Sequence, residues 1–246
     1  MYNINIIHFN DLPSTTKRIC VVSTPRSGTT VLSRALAYMF EAEWQTFHLP
    51  RELAAQELPD RLVCSVHWYP VDARWSRPEE RNFKTFLRDQ GFACVTIQRP
   101  AEDLLASIRE YSSKNTSTNM WLGGQNGNEK LLEEGSDTST FRLVRYALSR
   151  RFRALLRVSK SWEREPGTIC IDYRDIANDL GSVLTAIRDA TFVSTISPHD
   201  AAASIDFNAD RAQNQHYHYW RGVPGSGREL PFLARLAAAW TERTTG

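Results

Sequence analysis

One stretch constrains this chain more than any other. Ile19-Cys20-Val21-Val22 runs straight into Ser23-Thr24-Pro25-Arg26-Ser27-Gly28-Thr29-Thr30, and the apolar spacing of a helix begins at once in Val31-Leu32-Ser33-Arg34-Ala35-Leu36. Four consecutive apolar residues suit a strand buried on both faces, which is the habit of parallel sheets. A tight glycine turn that then starts a helix aims free backbone N–H groups at one point, where the helix dipole adds positive potential. Gly28 permits the turn, Thr29 and Thr30 offer hydroxyls, and Arg26 brings a full charge. The same residues would also make a turn with no ligand, so the rest of the chain has to decide.

The strand pattern recurs. "RICVV", "LVCSV", "FACVT" and "TICID" are short apolar runs, each holding one of the four cysteines, Cys20, Cys64, Cys94 and Cys170. No two form a C-x-x-C pair, so they read as small buried hydrophobes rather than a zinc or redox site. Helix-like segments separate or follow the runs at Thr30–Phe40, Glu79–Gln90, Glu102–Tyr111, Phe141–Trp162, Ser182–Thr191 and Glu229–Trp240. Strands alternating with helices predict an α/β fold of three layers, P-loop-like, with a central parallel sheet flanked by helices.

With 246 residues, the whole chain, 1–246, is expected to be a single domain. A polar insertion at about 112–140, rich in Ser, Thr, Asn and Gly, is long for a plain connection and reads as a lid. The six arginines between Arg142 and Arg157 spread over several helix faces and are expected to be mostly solvated. A net charge of +2 gives no support to a nucleic-acid or membrane-surface role. No run approaches the roughly 18 apolar residues of a membrane span. Met1–Asn10 is too short and polar for a signal peptide, so a cytoplasmic location is expected.

The loop departs from the nucleotide-kinase turn G-x-x-x-x-G-K-[ST]. Thr29 stands where the lysine belongs, and Ser23 where the first glycine belongs. Asp172, after "TICI", is the residue that could imitate a magnesium-binding aspartate. A transferred sulfuryl group carries less negative charge than a phosphoryl group, so one displaced cation with several N–H and hydroxyl donors would suffice without a metal.

"STPRSGTT" resembles the 5′-phosphosulfate loop of the sulfotransferases that use 3′-phosphoadenosine 5′-phosphosulfate (PAPS), with Arg26, Ser27, Gly28, Thr29 and Thr30 on the matching positions. "IQRPAEDLLASI" resembles their 3′-phosphate motif, an arginine closing a strand and a serine eight residues on, here Arg99 and Ser107. "CSVHWYP" places His67 where many members carry a catalytic histidine, with Ser65 replacing the usual lysine nearby. "WRGVPGSGREL" resembles the basic-Gly-x-x-Gly segment that closes over the nucleotide. Arg221, Gly222, Gly225 and Arg228 match, while Gly227 replaces a usual tryptophan. Tyr173 matches a tyrosine that touches the adenine, and Val31 replaces a tryptophan that stacks on it.

The resemblance, from about Arg18 to Arg228, implies sulfuryl transfer from PAPS to a small-molecule acceptor, a hydroxyl first of all, leaving 3′,5′-bisphosphate (PAP). His67 would be the general base and Arg26 the cation at the transferred group, while Arg99 and Ser107 would anchor the 3′-phosphate. Two alternatives remain: a P-loop kinase of a small metabolite using ATP and magnesium, and a non-catalytic nucleotide-binding regulator. The acceptor region is expected around Trp44–Pro50, Trp68–Trp75 and the insertion.

Overall fold

The computed structural model describes residues 18–47, 50–67, 77–112, 139–191, 194, 196–205 and 224–245. Strand β1 (Arg18–Ser23) is central, with β3 (Leu62–His67) on one side and β4 (Phe92–Gln98) on the other. Among the described residues the edges are β2 (Glu43–Phe47) and β5 (Thr168–Asp172), giving a five-stranded sheet of order β2-β3-β1-β4-β5 with every pairing parallel. Since all strands run the same way, their carboxyl ends lie along one rim. Ser23 stands beside His67 in the register there, and Arg99 follows the last residue of β4.

Side chains alternate across a strand, so each apolar run serves two cores. Ile19 and Val21 join Val95, Ile97 and Ile169 on one face. That face is covered by α1 (Thr29–Met39), α7 (Tyr173–Asn178), α8 (Leu180–Thr191) and α9 (Pro198–Ala203). Cys20, Val22 and Cys64 face the other way, against α2 (Pro50–Ala54), α3 (Arg77–Asp89) and α6 (Arg150–Glu163), through Leu53, Phe83, Leu87 and Trp162. A third cluster joins α4 (Ala101–Ser112), α5 (Thr140–Ala147), α6 and α10 (Phe232–Thr244). The three-layer α/β architecture is therefore present.

Three local differences have clear causes. The expected helix Phe141–Trp162 is two helices, because the Ser149 hydroxyl accepts from the Phe152 N–H (3.2 Å) and starts α6 afresh. The segment expected to open an acceptor loop at Trp44 instead forms β2. Its mixed "EWQTF" sequence suits an edge strand, where only Phe47 is buried. The helix expected at Glu229–Trp240 begins at Phe232, after Pro231, and a short 3-10 turn, Ser226–Glu229, precedes it. Of the crowded arginines, Arg145, Arg150 and Arg157 are exposed as expected. Residues 113–138 of the insertion, with 68–76 and 221–223, lie outside the described residues.

The four cysteines are free, as read, and Cys64, Cys20 and Cys94 sit side by side in the register of β3, β1 and β4. Burial raises the Cys20 thiol well above its ordinary range, and Cys64 adds to the effect through a hydrogen bond and its nearby charge. Burial likewise pushes Cys94 from 9.0 to about 12. The folded chain keeps protons that the unfolded chain releases, so these thiols lower stability as pH rises through the interval from 9.0 to about 12. We expect thiol reagents at pH 8 to label Cys20 only at the rate of unfolding, which timed mass spectrometry with and without urea would measure.

Candidate functional site

The turn from β1 to α1 carries the site. Arg26 and Gly28 both adopt left-handed backbone, with φ of 69° and 87°. A non-glycine residue there costs about 1–2 kcal/mol, so Arg26 must be held. The Arg99 guanidinium holds it, Nη1 donating to the Arg26 carbonyl oxygen. The loop entry is fastened as well. Ser23 Oγ donates to Ile97 O (2.7 Å), Thr24 Oγ1 to Leu155 O (2.8 Å), and Ser159 Oγ to Ile97 O (2.9 Å). Ser23, where a kinase loop would begin with glycine, is thus a buried anchor to β4.

After Gly28, α1 starts with Thr29 buried and Thr30 half-buried, with no side chain capping its N-terminus. Ser27 Oγ is buried and has no hydrogen-bond partner among the described residues, and the same holds for Arg99 Nε. Buried donors normally find partners. Two such donors at a helix N-terminus fit an anionic ligand.

Two arginines meet here, each resting on a tyrosine. Arg99 lies over Tyr173, 4.0 Å from guanidinium carbon to ring centroid, and Arg26 lies over Tyr111 at 4.4 Å. Arg26 Nε donates to Ser107 Oγ at 3.4 Å. Burial pulls the Arg99 pKa below its ordinary value, with Tyr173 and Asp103 acting in the opposite direction. A guanidinium starts so high that Arg99 stays charged at neutral pH. Tyr173 is itself buried, and its ring is 3.4 Å from where a Cβ on Gly28 would stand. The glycine is therefore needed for its backbone angle, and a side chain there would meet the ring.

The structure brings together the expected residues Arg26, Ser27, Gly28, Thr29, Thr30, Arg99, Ser107 and Tyr173. His67 closes β3 on the same rim, beside Ser23. Ser65, by contrast, is buried and bonded to Thr46 (3.0 Å) within the sheet. Arg221 and Gly222 lie outside the described residues. Trp44 pairs in register with Val63, four positions before His67. Its indole N–H donates to Ser33 Oγ (2.9 Å), and it lines an open groove of about 600 Å³ with Tyr38 and Ile205. It is not part of the loop cluster. Asp172, the candidate magnesium ligand, caps α7 by accepting the Arg174 N–H (2.8 Å) and pairs with the Arg174 guanidinium (2.7 Å).

Asp103, in the first turn of α4, is a residue that no motif marks. It is buried, and its two oxygens accept the N–H groups of Gly225 (2.8 Å) and Gly227 (2.7 Å). A Cβ on Gly227 would stand 2.7 Å from Cβ and Cγ of Glu102 and 2.8 Å from its carbonyl carbon. The absence of a side chain at Gly227, where the resemblance would place a tryptophan, is thus what lets this segment dock on α4. The sequence signal was present in the acid-rich start of α4 and the paired glycines, but nothing local linked them across 122 residues.

No protein-family model matches the chain, and no curated protein matches it. Solved structures do. Mouse sulfotransferase SULT7A1 complexed with PAP aligns at a TM-score of 0.62 and 15% identity, over 88% of this chain and 79% of that one. Its fold is that of the sulfotransferases. Retinol dehydratase, in complex with androsterone and inactive cofactor PAP, aligns at 0.57 and 14% identity over 94% and 81% of the two chains. The same protein with retinol and PAP aligns at 0.57 and 13%, over 94% and 82%. Among the described residues, no helix is long and apolar enough to cross a membrane.

Replacing Asp103 with Ala should leave one buried and one half-buried N–H group unpaired and cost about 1–4 kcal/mol. Gly227→Ala should destabilise through the contact with Glu102. Urea unfolding of both variants, with the slope compared to wild type, measures this.

Proposed function

We propose that the protein transfers a sulfuryl group from PAPS to a small-molecule acceptor. The observation that carries this reading is the convergence of Arg26, Arg99 and Ser107 beside a glycine turn with unpartnered donors. Such an arrangement suits a ligand with two separate anionic groups. The similarity in fold to sulfotransferase structures solved with PAP supports the choice of nucleotide.

In this reading the N–H groups of the turn, Ser27 Oγ and the Thr29 and Thr30 hydroxyls hold the 5′ group. They are fixed before any ligand arrives, so they favour charge that develops as the leaving phosphate departs. Arg99 and Ser107 hold the 3′-phosphate. PAPS supplies the sulfuryl group: a bond forms from the acceptor oxygen to sulfur, the bond from sulfur to the 5′-phosphate breaks, and PAP leaves. Neutral His67 takes the acceptor's proton, as an imidazole with an ordinary pKa of about 6.5 can. Arg26, the cation expected at the transferred group, holds its guanidinium beside Ser107, so we assign it to the anion at Ser107 as well. Tyr173, backing Arg99 and bordering Gly28, supports both halves, with the adenine contact a further proposed role. Arg221 and Gly222 would close over the nucleotide, in a cytoplasmic enzyme that needs no metal.

Because Arg99 also holds the loop carbonyl, Arg99→Ala should weaken every adenine nucleotide. Ser107→Ala is the cleaner test. It should lower PAP affinity by about 10- to 100-fold while adenosine 5′-phosphate binds as before. Calorimetric titration of both ligands decides, and equal effects on the two would remove the 3′-phosphate site.

His67→Ala should lower turnover by about 10²–10⁴-fold with PAP affinity near wild type. Mass-spectrometric detection of sulfated acceptors from a compound panel measures the rate. A variant as fast as wild type would exclude His67 as the base.

A further inference from the structure

We propose that Tyr111 is a positioning residue for Arg26, presetting its guanidinium for an anion at Ser107. The inference rests on the sulfotransferase reading and extends it to a residue that no motif singles out. Ser107 and Tyr111 are four apart on α4 and therefore share one face. Arg26 touches both, through its Nε at 3.4 Å from Ser107 Oγ and its guanidinium carbon at 4.4 Å from the Tyr111 ring centroid.

The chemistry favours this division. An aromatic ring attracts the face of a guanidinium, while the N–H donors lie in the guanidinium plane. Stacking therefore occupies the face and leaves the edge for Ser107 and a ligand oxygen. Arg99 on Tyr173, at 4.0 Å, has the same arrangement beside the same loop. An arginine on a flexible stem would lose rotamer freedom when it met an anion, and a ring that already holds it lowers that loss. Tyr111 is half-buried in the last turn of α4, so its ring is not a main element of the core.

The test is a double-mutant cycle on the full chain with PAP as the probe, followed by calorimetry and thermal unfolding. Tyr111→Leu should weaken PAP binding about 3- to 30-fold with an unchanged thermal midpoint. Tyr111→Phe, which keeps the ring, should bind as wild type does. In an Arg26→Ala background, Tyr111→Leu should have no further effect, since the ring would then have nothing to hold. The proposal is overturned if Tyr111→Leu binds normally, if Tyr111→Phe loses as much, or if the two substitutions are additive. A leucine variant too unstable to assay also overturns it, by making Tyr111 a structural residue. The underlying reading fails in a different way, by wild-type protein binding PAP no more tightly than adenosine 5′-phosphate.

Discussion

The left-handed turn at Arg26 and Gly28 is the constraint on which the rest depends. It lets β1 end and α1 begin within a few residues, so the first N–H groups of α1 converge beside the sheet rim. Glycine accepts that conformation freely, and arginine does not. The bond from Arg99 to the Arg26 carbonyl offsets the cost. One side chain thus secures the loop and contributes charge to the site. The two functions cannot be separated by removing it.

Neighbouring cations repel, so two arginines at one rim need a setting that keeps both charged. Aromatic faces under each guanidinium supply part of it, and buried Asp103 supplies a counter-charge near Arg99. Asp103 also gathers the glycine segment after Pro224 onto α4, while Glu242 of α10 accepts the Ala101 N–H (3.3 Å) at the start of that helix. Helix α4 is therefore fixed at its N-terminus from two directions. Its Ser107 and Tyr111 are thereby presented to the loop from a rigid support, the condition any preorganised site requires.

The similarity to PAP-bound sulfotransferase structures and the motifs read from the sequence agree at only 13–15% identity. Such agreement in fold is possible because a tight strand-to-helix turn needs few residue types in fixed positions, whereas the surrounding layers only need apolar side chains of suitable volume. Gly227 shows how closely packing can restrict one position. That position tolerates only what the approach of Glu102 allows, and the segment docks on α4 through the backbone N–H groups of Gly225 and Gly227.

The sequence by itself determined the layered α/β class, the strands that carry Cys20, Cys64, Cys94 and Cys170, and the glycine turn from β1 into α1. Those features are local, since apolar runs, a glycine turn and a helix start each act within about ten residues. Tertiary structure decided what local patterns could not. Polar "EWQTF" became a strand only because β3 offered it an open edge. The pairing of Arg26 with Tyr111, the stacking of Arg99 on Tyr173 and the Asp103 clamp join residues dozens of positions apart. Asp172 ends β5, yet its carboxylate accepts the backbone N–H and the guanidinium of Arg174, which α7 puts beside it. In each case the chain sets the chemistry available at a position, and packing across the sheet rim selects which partner it meets.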